Sequence, residues 1–386
     1  MPGGKRLLFG RIDSGRTGTE EFSKSSEKKC KIFPKAFFIM KKNNKEVCTL
    51  NMYSWLEEIK TQPTKKPFPI LSFPGIQHMD GLTVRELVCD SDLQAQCMKK
   101  VADLTDSLAS VSLMDLSLEA EAFGAEAMFF DDEPPAIQGA LVTTQEEADA
   151  LQIPQVGAAR TGMSVEAIRK AKQLITDRPV FAGVLGPFSI VGRLVDVSEA
   201  MILCYTEPEM LETLLEKVAE FSIHYIRAFK EAGADGVVMA EPLAGVISPA
   251  LEKDLSAPYV KKIVEAVQDE DFLVVYHNCG NYAYLMTDSL AKNGCKAFHF
   301  GNSVDMEQML QKMGSEFVVM GNIDPAGQFR NGTPETMAEA VKDLMERCGS
   351  YPNFVPSSGC DLPPVCSWEN INAFYESVNQ YYSERN

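Results

Sequence analysis

No apolar run in this 386-residue chain approaches the roughly 20 residues that a membrane-spanning helix needs. Positive charge is also short. The chain has 37 Lys and Arg against 54 Asp and Glu, a net charge of −17. That balance argues against nucleic-acid backbones and anionic membrane surfaces as main partners. No GxGxxG or P-loop motif follows a candidate strand, which weakens nucleotide-binding readings. A signal h-region is missing too, because the N-terminus is charged throughout and Ala36–Met40 is too short. A cytoplasmic protein is the expectation.

What is present is a chain with 45% hydrophobic and 24% charged residues, the composition of a soluble globular protein. Its length suits one large α/β barrel or two ordinary domains. Ten cysteines, at 30, 48, 89, 97, 204, 279, 295, 348, 360 and 366, are scattered without a disulfide framework. In a reducing compartment such cysteines raise the question of metal or catalytic roles. Residues 1–50 differ from the rest, with 12 Lys and Arg against 5 Asp and Glu. They lack sustained periodicity and read as a basic, disordered extension or an overlong start, Met40 and Met52 being alternative starts. The acidic remainder suits a partner with a basic face, although such charge usually means only solubility.

Residues 51–386 read as a single domain. Short apolar runs alternate with longer amphipathic stretches. Candidate strands are Pro69–Phe73, Ser110–Met114, Ala127–Phe130, Val180–Leu185, Gly236–Ala240, Leu273–Tyr276, Ala297–Phe300, Phe317–Met320 and Asn353–Pro356. Helical patterns cover Pro208–Ala232, Leu251–Gln268, Asn281–Lys292, Met306–Met313 and Thr333–Arg347. Such alternation predicts a parallel sheet with crossover helices. Nine candidates, one in excess, suit a TIM (β/α)8 barrel better than an open sheet.

Polar and glycine-rich residues recur just after the strands: Gly186-Pro187-Phe188-Ser189, Glu241-Pro242, His277-Asn278-Cys279-Gly280, Gly301-Asn302-Ser303, Gly321-Asn322-Ile323-Asp324 and Ser357-Ser358-Gly359-Cys360. In a barrel they converge at the C-terminal mouth. His277 and Cys279 are two residues apart on extended chain and so point the same way. An imidazole and a thiolate together suit zinc. Cys360 follows the last candidate strand and could add a third ligand. Spacing alone leaves two readings open: a three-ligand metal site with one exchangeable position, or three buried, inert side chains.

The stretch from about 66 to 384 resembles the uroporphyrinogen decarboxylase superfamily. Within it, the methylcobamide:coenzyme M methyltransferase branch is the nearest likeness. The segments that carry it are MDLSLEAEAFGAE (114–126), GPFSI (186–190), ISPALEKDLSAPYVKKI (247–263), YHNCGN (276–281), MGNIDP (320–325), NGTPE (331–335) and SSGCDLPP (357–364). The resemblance implies zinc held by His277, Cys279 and Cys360. It also implies a corrinoid (methylcobalamin) carried by a partner protein, with a small thiol such as coenzyme M, or a methylated small molecule, as the other substrate. Zinc would activate the thiol for methyl transfer. Transfer from a methoxy or methylamine donor onto the corrinoid is the reverse kind of role. True decarboxylases of the superfamily carry an arginine-rich segment near the first strand. Here PILSFPGIQHMDG (69–81) has no arginine, which disfavours a carboxylate-rich tetrapyrrole as substrate.

Other residues carry paired readings. Glu241 is a displaceable fourth ligand or base, or else a solvated or arginine-paired carboxylate. Asp115 is catalytic or a helix cap. His78 and Asp324 are candidate substrate contacts, Asp324 having an Asx-turn role as its alternative. Asn281 is expected to cap the helix after the zinc motif, or to meet substrate. His299 reads as a satisfied core histidine and His224 as structural. Cys295 and Cys348 read as packing residues, and Cys366 as a spare. Self-association is left open.

Overall fold

The computed structural model describes residues 50–385. The expectation of a disordered extension over 1–50 therefore lies, Leu50 apart, outside the described residues. Strands β1 (Ser110–Val111), β2 (Glu126–Met128), β3 (Ala136–Gln138), β4 (Val180–Leu185), β5 (Gly236–Ala240), β6 (Leu273–Asn278), β7 (Ala297–Phe300), β8 (Val318–Ile323) and β9 (Phe354–Ser358) follow in chain order. Seven of them form one parallel sheet in the order β1-β4-β5-β6-β7-β8-β9. Every residue of β4, β5, β6 and β7 is buried. Near-continuous apolar runs such as VFAGVL and GVVMA are what parallel strands covered on both faces require.

Extended chain at 67–72 takes the remaining place in the ring, between β9 and β1. Phe68 N–H donates to Pro356 O at 3.0 Å, and Leu108 N–H donates to Pro67 O at 2.7 Å. Ile70 N–H donates to Ser358 Oγ at 3.2 Å, and the Ser72 hydroxyl donates to Val111 O. The segment closes the barrel without forming a regular ladder, because Pro67 and Pro69 bring no N–H to it. The expected strand Pro69–Phe73 is thus displaced towards the N-terminus, and Phe73–His78 winds into a 3-10 helix. The candidate in excess is Ala127–Phe130. It falls in β2, which pairs antiparallel with β3 outside the barrel.

The helices match their periodicity where no breaker intervenes. Pro208–Glu231 runs 24 residues and buries Met210, Leu211, Leu214, Leu215 and Val218 along one face. The stretch expected as one helix over Leu251–Gln268 is two, Pro249–Leu255 and Ala257–Val267. Pro258 has no N–H to continue the ladder, so a new helix starts at Ala257. Asn281–Lys292 holds only a 3-10 turn, Ala283–Leu285, and a single helical turn, Thr287–Leu290. There the Tyr282 N–H is taken by Gly245 O at 2.8 Å instead of by a helical partner. The helix Met52–Thr61 packs Trp55 on Phe181 with ring centroids 5.9 Å apart, near the N-terminal end of β4. Among the described residues no helix is long and apolar enough to cross a membrane.

One buried acid locks the outer layer to the barrel. Glu119, in the helix Leu118–Phe123, accepts the Leu185 N–H at 2.8 Å, while its Oε2 is buried without a partner. Burial pushes its carboxyl up to about 7. The folded protein therefore holds this proton more tightly than the unfolded chain does. The stabilisation is full below the ordinary carboxyl range and is lost as pH rises through about 7. Glu119→Gln keeps the acceptor and removes the ionisation. Its urea unfolding free energy should exceed wild type by about 1–3 kcal/mol at pH 8, the excess shrinking towards zero below about pH 4. A difference independent of pH would refute this account.

Candidate metal centre

Three ligand-type side chains meet at the C-terminal end of the sheet. His277 lies near the end of β6, Cys279 follows that strand, and Cys360 lies two residues beyond β9. Their ligand atoms all fall within 4.8 Å of one another, and among the described residues this is the group of metal-ligating type that forms. His277 Nε2 stands 3.5 Å from Cys360 Sγ across 83 positions of sequence. His277 is 2% exposed, while the two cysteines are half-buried and face the mouth.

Backbone packing sets these positions. Asn278 Oδ1 accepts the Gly280 N–H at 2.9 Å and turns the chain sharply after β6. A Cβ at Gly301 would lie 2.6 Å from the Cys279 Cα, so only glycine after β7 lets Cys279 sit where it does. On the other side, the Gly359 N–H donates to Ile323 O at 2.6 Å, fixing the approach to Cys360. Gln77 Nε2 donates to Pro364 O at 2.6 Å and to Cys366 O at 2.8 Å, tying the Cys360 loop to the 3-10 helix after the closing segment.

The electrostatics separate these thiols from the others. Cys279 is pulled down to about 4, chiefly by the hydrogen bond from Cys360. Cys360 is pushed up by the same bond and by burial. The two thiols are thus driven in opposite directions. Burial alone pushes Cys97 up to about 12, and burial dominates at Cys348 and Cys366, each also pushed up to about 12. Those are inert packing thiols, as expected for Cys348 and Cys366. An imidazole nitrogen and two sulfurs form a soft donor set of the kind zinc takes.

The structure keeps the other candidates out of this group. Glu241 is fully buried and accepts the Phe188 N–H at 3.0 Å, the Ser189 N–H at 2.7 Å and the Ser189 hydroxyl. It anchors the N-terminus of the helix Pro187–Val195, and a Cβ at Gly186 would collide with it. Burial still pushes its carboxyl up to about 7. The expected base or fourth ligand is thus a helix anchor, because both oxygens are committed. Asp115 is paired with Arg160 and accepts the Ser117 hydroxyl at 2.6 Å, so it is a buried ion-pair member. Arg160 also bonds Glu121 at 2.8 Å and lies over the Phe129 ring at 4.7 Å. Asp324 accepts the Ala326 and Gly327 N–H groups, both at 2.9 Å, and shapes its own loop. His78 is exposed, with its ring edge-on to Trp368 at 4.6 Å. Asn281 is exposed in the turn after Cys279, and the cap expected of it does not form, since Tyr282 precedes the short 3-10 turn.

Sequence reasoning undervalues His299. It is a satisfied core residue, 0% exposed, but its Nδ1 lies 2.8 Å from His277 Nδ1. Ser357 is missing from the sequence candidates, yet its Oγ lies 2.7 Å from His299 Nε2. The available signal is register, because parallel pairing sets His299 beside His277.

The uroporphyrinogen decarboxylase (URO-D) family model matches residues 75–381. Curated relatives fall into two groups. A methylcobamide:CoM methyltransferase MtbA of Methanosarcina acetivorans is 27% identical over 274 residues, covering 69% of this chain and 78% of its own. A uroporphyrinogen decarboxylase of Coxiella burnetii is 25% identical over 286 residues, covering 71% and 77%. Among solved structures, a methyltransferase from Methanosarcina mazei aligns with TM-score 0.75 at 22% identity, over 86% of this chain and 99% of that one. A B12-independent methionine synthase from Shewanella sp. W3-18-1 aligns with TM-score 0.56 at 13% identity, over 83% and 96%. These structural likenesses show the fold, a curled parallel α/β barrel of the TIM type. With the family match spanning most of the sequence, the chain belongs to the uroporphyrinogen decarboxylase (URO-D) family.

Proposed function

We propose that this protein is a zinc-dependent methyltransferase that moves a methyl group between the corrinoid of a partner protein and a small thiol. The observation that carries the reading is the meeting of His277, Cys279 and Cys360 at the barrel mouth, their ligand atoms within 4.8 Å of one another. Such a set leaves one exchangeable position, as catalytic zinc sites do. The methylcobamide:CoM methyltransferase relatives support the same reading. The decarboxylase relatives are nearly as similar, but residues 69–81 carry no arginine to grip a carboxylate-rich substrate.

Each residue has a definable part. His277, Cys279 and Cys360 would hold the ion, and bound zinc would supply a Lewis acid that lowers the proton affinity of a substrate thiol. Cys279 and Cys360 would bind as thiolates, so uptake of the ion would release the protons they hold. Gly301 keeps Cys279 close against the neighbouring loop, and Gln77 holds the Cys360 loop in place. Glu241 acts through the fold, by anchoring the helix after β4. Free ligand thiols suit a reducing compartment, and we place the protein in the cytoplasm with residues 51–386 as its catalytic domain.

Two measurements test this. Metal analysis of purified wild type should give about one zinc per chain, lost in Cys360→Ser. Zinc-loaded protein should then demethylate methylcobalamin in the presence of a thiol from a panel. Wild type that holds no zinc as purified, and takes up none on reconstitution, would sink the proposal and return decarboxylation to the front. Glu241→Ala should keep full zinc content while losing about 2–4 kcal/mol of stability, because buried helix N–H groups lose their acceptor. Zinc loss in that variant with stability intact would instead put Glu241 among the ligands.

A further inference from the structure

We infer that His299, held by Ser357, is a positioning residue that fixes His277 in the tautomer whose Nε2 lone pair faces the two cysteines. The inference rests on the metal reading above and concerns residues outside the ligand set.

The argument is a proton count along a chain of contacts whose two ends can only accept. At one end, Ser357 Oγ lies 2.6 Å from Phe68 O. A carbonyl has no proton to give, so the serine hydroxyl donates there. That commits Ser357's single proton. His299 Nε2, 2.7 Å from the same Oγ, must therefore carry a hydrogen and donate it. At the other end, His277 Nδ1 lies 3.2 Å from the carbonyl oxygen of His299. Again the carbonyl only accepts, so His277 Nδ1 carries the hydrogen. The contact in the middle then has one consistent assignment. The one His277 Nδ1–H is shared between two acceptors, the His299 carbonyl oxygen at 3.2 Å and, more closely, the bare lone pair of His299 Nδ1 at 2.8 Å. His299 is neutral by this count, and its complete burial agrees.

The consequence falls on the far side of the His277 ring. With the proton on Nδ1, Nε2 is a bare lone pair 3.5 Å from Cys360 Sγ. A free imidazole exchanges between tautomers, and only one of them offers this nitrogen to a metal. His277, His299 and Ser357 come from β6, β7 and β9, and Phe68 belongs to the closing segment. The lock is therefore assembled by the same ring closure that brings the ligands together. Outer contacts of this type generally change metal affinity by roughly 10- to 100-fold.

Nitrogen-15 NMR of metal-free protein reads the tautomers directly, and four histidines in the chain keep the spectrum assignable. Wild type should show His277 protonated on Nδ1 and His299 on Nε2. Protonation of His277 on Nε2 would overturn the inference without any variant. Zinc affinity, measured by chelator competition, supplies the second readout. His299→Leu removes the ring acceptor and should weaken zinc by roughly 10-fold or more. His299→Asn, whose side-chain oxygen can stand where Nδ1 stands, should recover most of that loss. The residue-299 carbonyl persists in both variants. Unchanged affinity in His299→Leu would therefore show that the carbonyl alone sets the tautomer, and would overturn the role of the ring. Wild type with no zinc affinity at all would sink the metal reading instead, a result that the NMR assignment keeps separate.

Discussion

Closure of the parallel sheet is the constraint on which the rest depends. His277 and Cys360 are 83 residues apart, and they meet only because the sheet curls until β6 and β9 present their C-terminal ends to one mouth. The last gap is filled by residues 67–72, chain with too few N–H groups to make a regular strand. That segment compensates by using side chains. Ser358 accepts from Ile70, Ser72 donates to Val111, and Ser357 donates to Phe68 O. The two serines at the end of β9 thus stitch the ring, and the next residues deliver Cys360. Polar groups in a barrel interior are costly unless paired, and here each pair either closes the ring or orients a ligand.

Burial sorts the acids in the same way. Glu119, Glu241 and Asp115 all lie deep in the structure and all are of the type that catalysis uses. Each is matched to donors that fix an element in place: Leu185 N–H, the Phe188 and Ser189 N–H groups, and Arg160. A carboxylate at a helix N-terminus meets the positive end of the macrodipole and relieves orphan N–H groups, which favours anchoring over chemistry. Burial raises Glu119 and Glu241 to about 7, but a displaced carboxyl is a catalytic group only when it can reach a substrate. Cys279 differs because its shift comes chiefly from a partner thiol at a half-open position.

The convergence of His277, Cys279 and Cys360 is legible in the sequence because two simple regularities carry it, while a metal role for them comes only from the family resemblance. Alternation along extended chain puts His277 and Cys279 on one side, and a barrel gathers at its mouth the residues just after its strands. Six of the barrel strands are readable as apolar runs for the same reason, burial on both faces. The first is misplaced because Pro67 and Pro69 break the ladder while the chain still fills the position. The helix expected over 281–292 fails because Gly280 and Gly245 let two loops approach until the Tyr282 N–H finds a non-local acceptor. Glu241's partners lie over 50 positions away and His299's partner Ser357 58 away, separations at which a single sequence carries no pairing signal.

The URO-D family spans two chemistries on one barrel, so the difference must lie in what the loops bring to the mouth. The Phe73–His78 turn carries no arginine, and its Gln77 donates its amide to the loop that holds Cys360. The same strand ends that could surround an organic acid instead converge two sulfurs and an imidazole within 4.8 Å. Those sulfurs would repel one another as paired thiolates in a half-buried site. A divalent cation between them would relieve that repulsion, which is the physical ground on which the proposed function prefers a cation at this mouth to an organic anion.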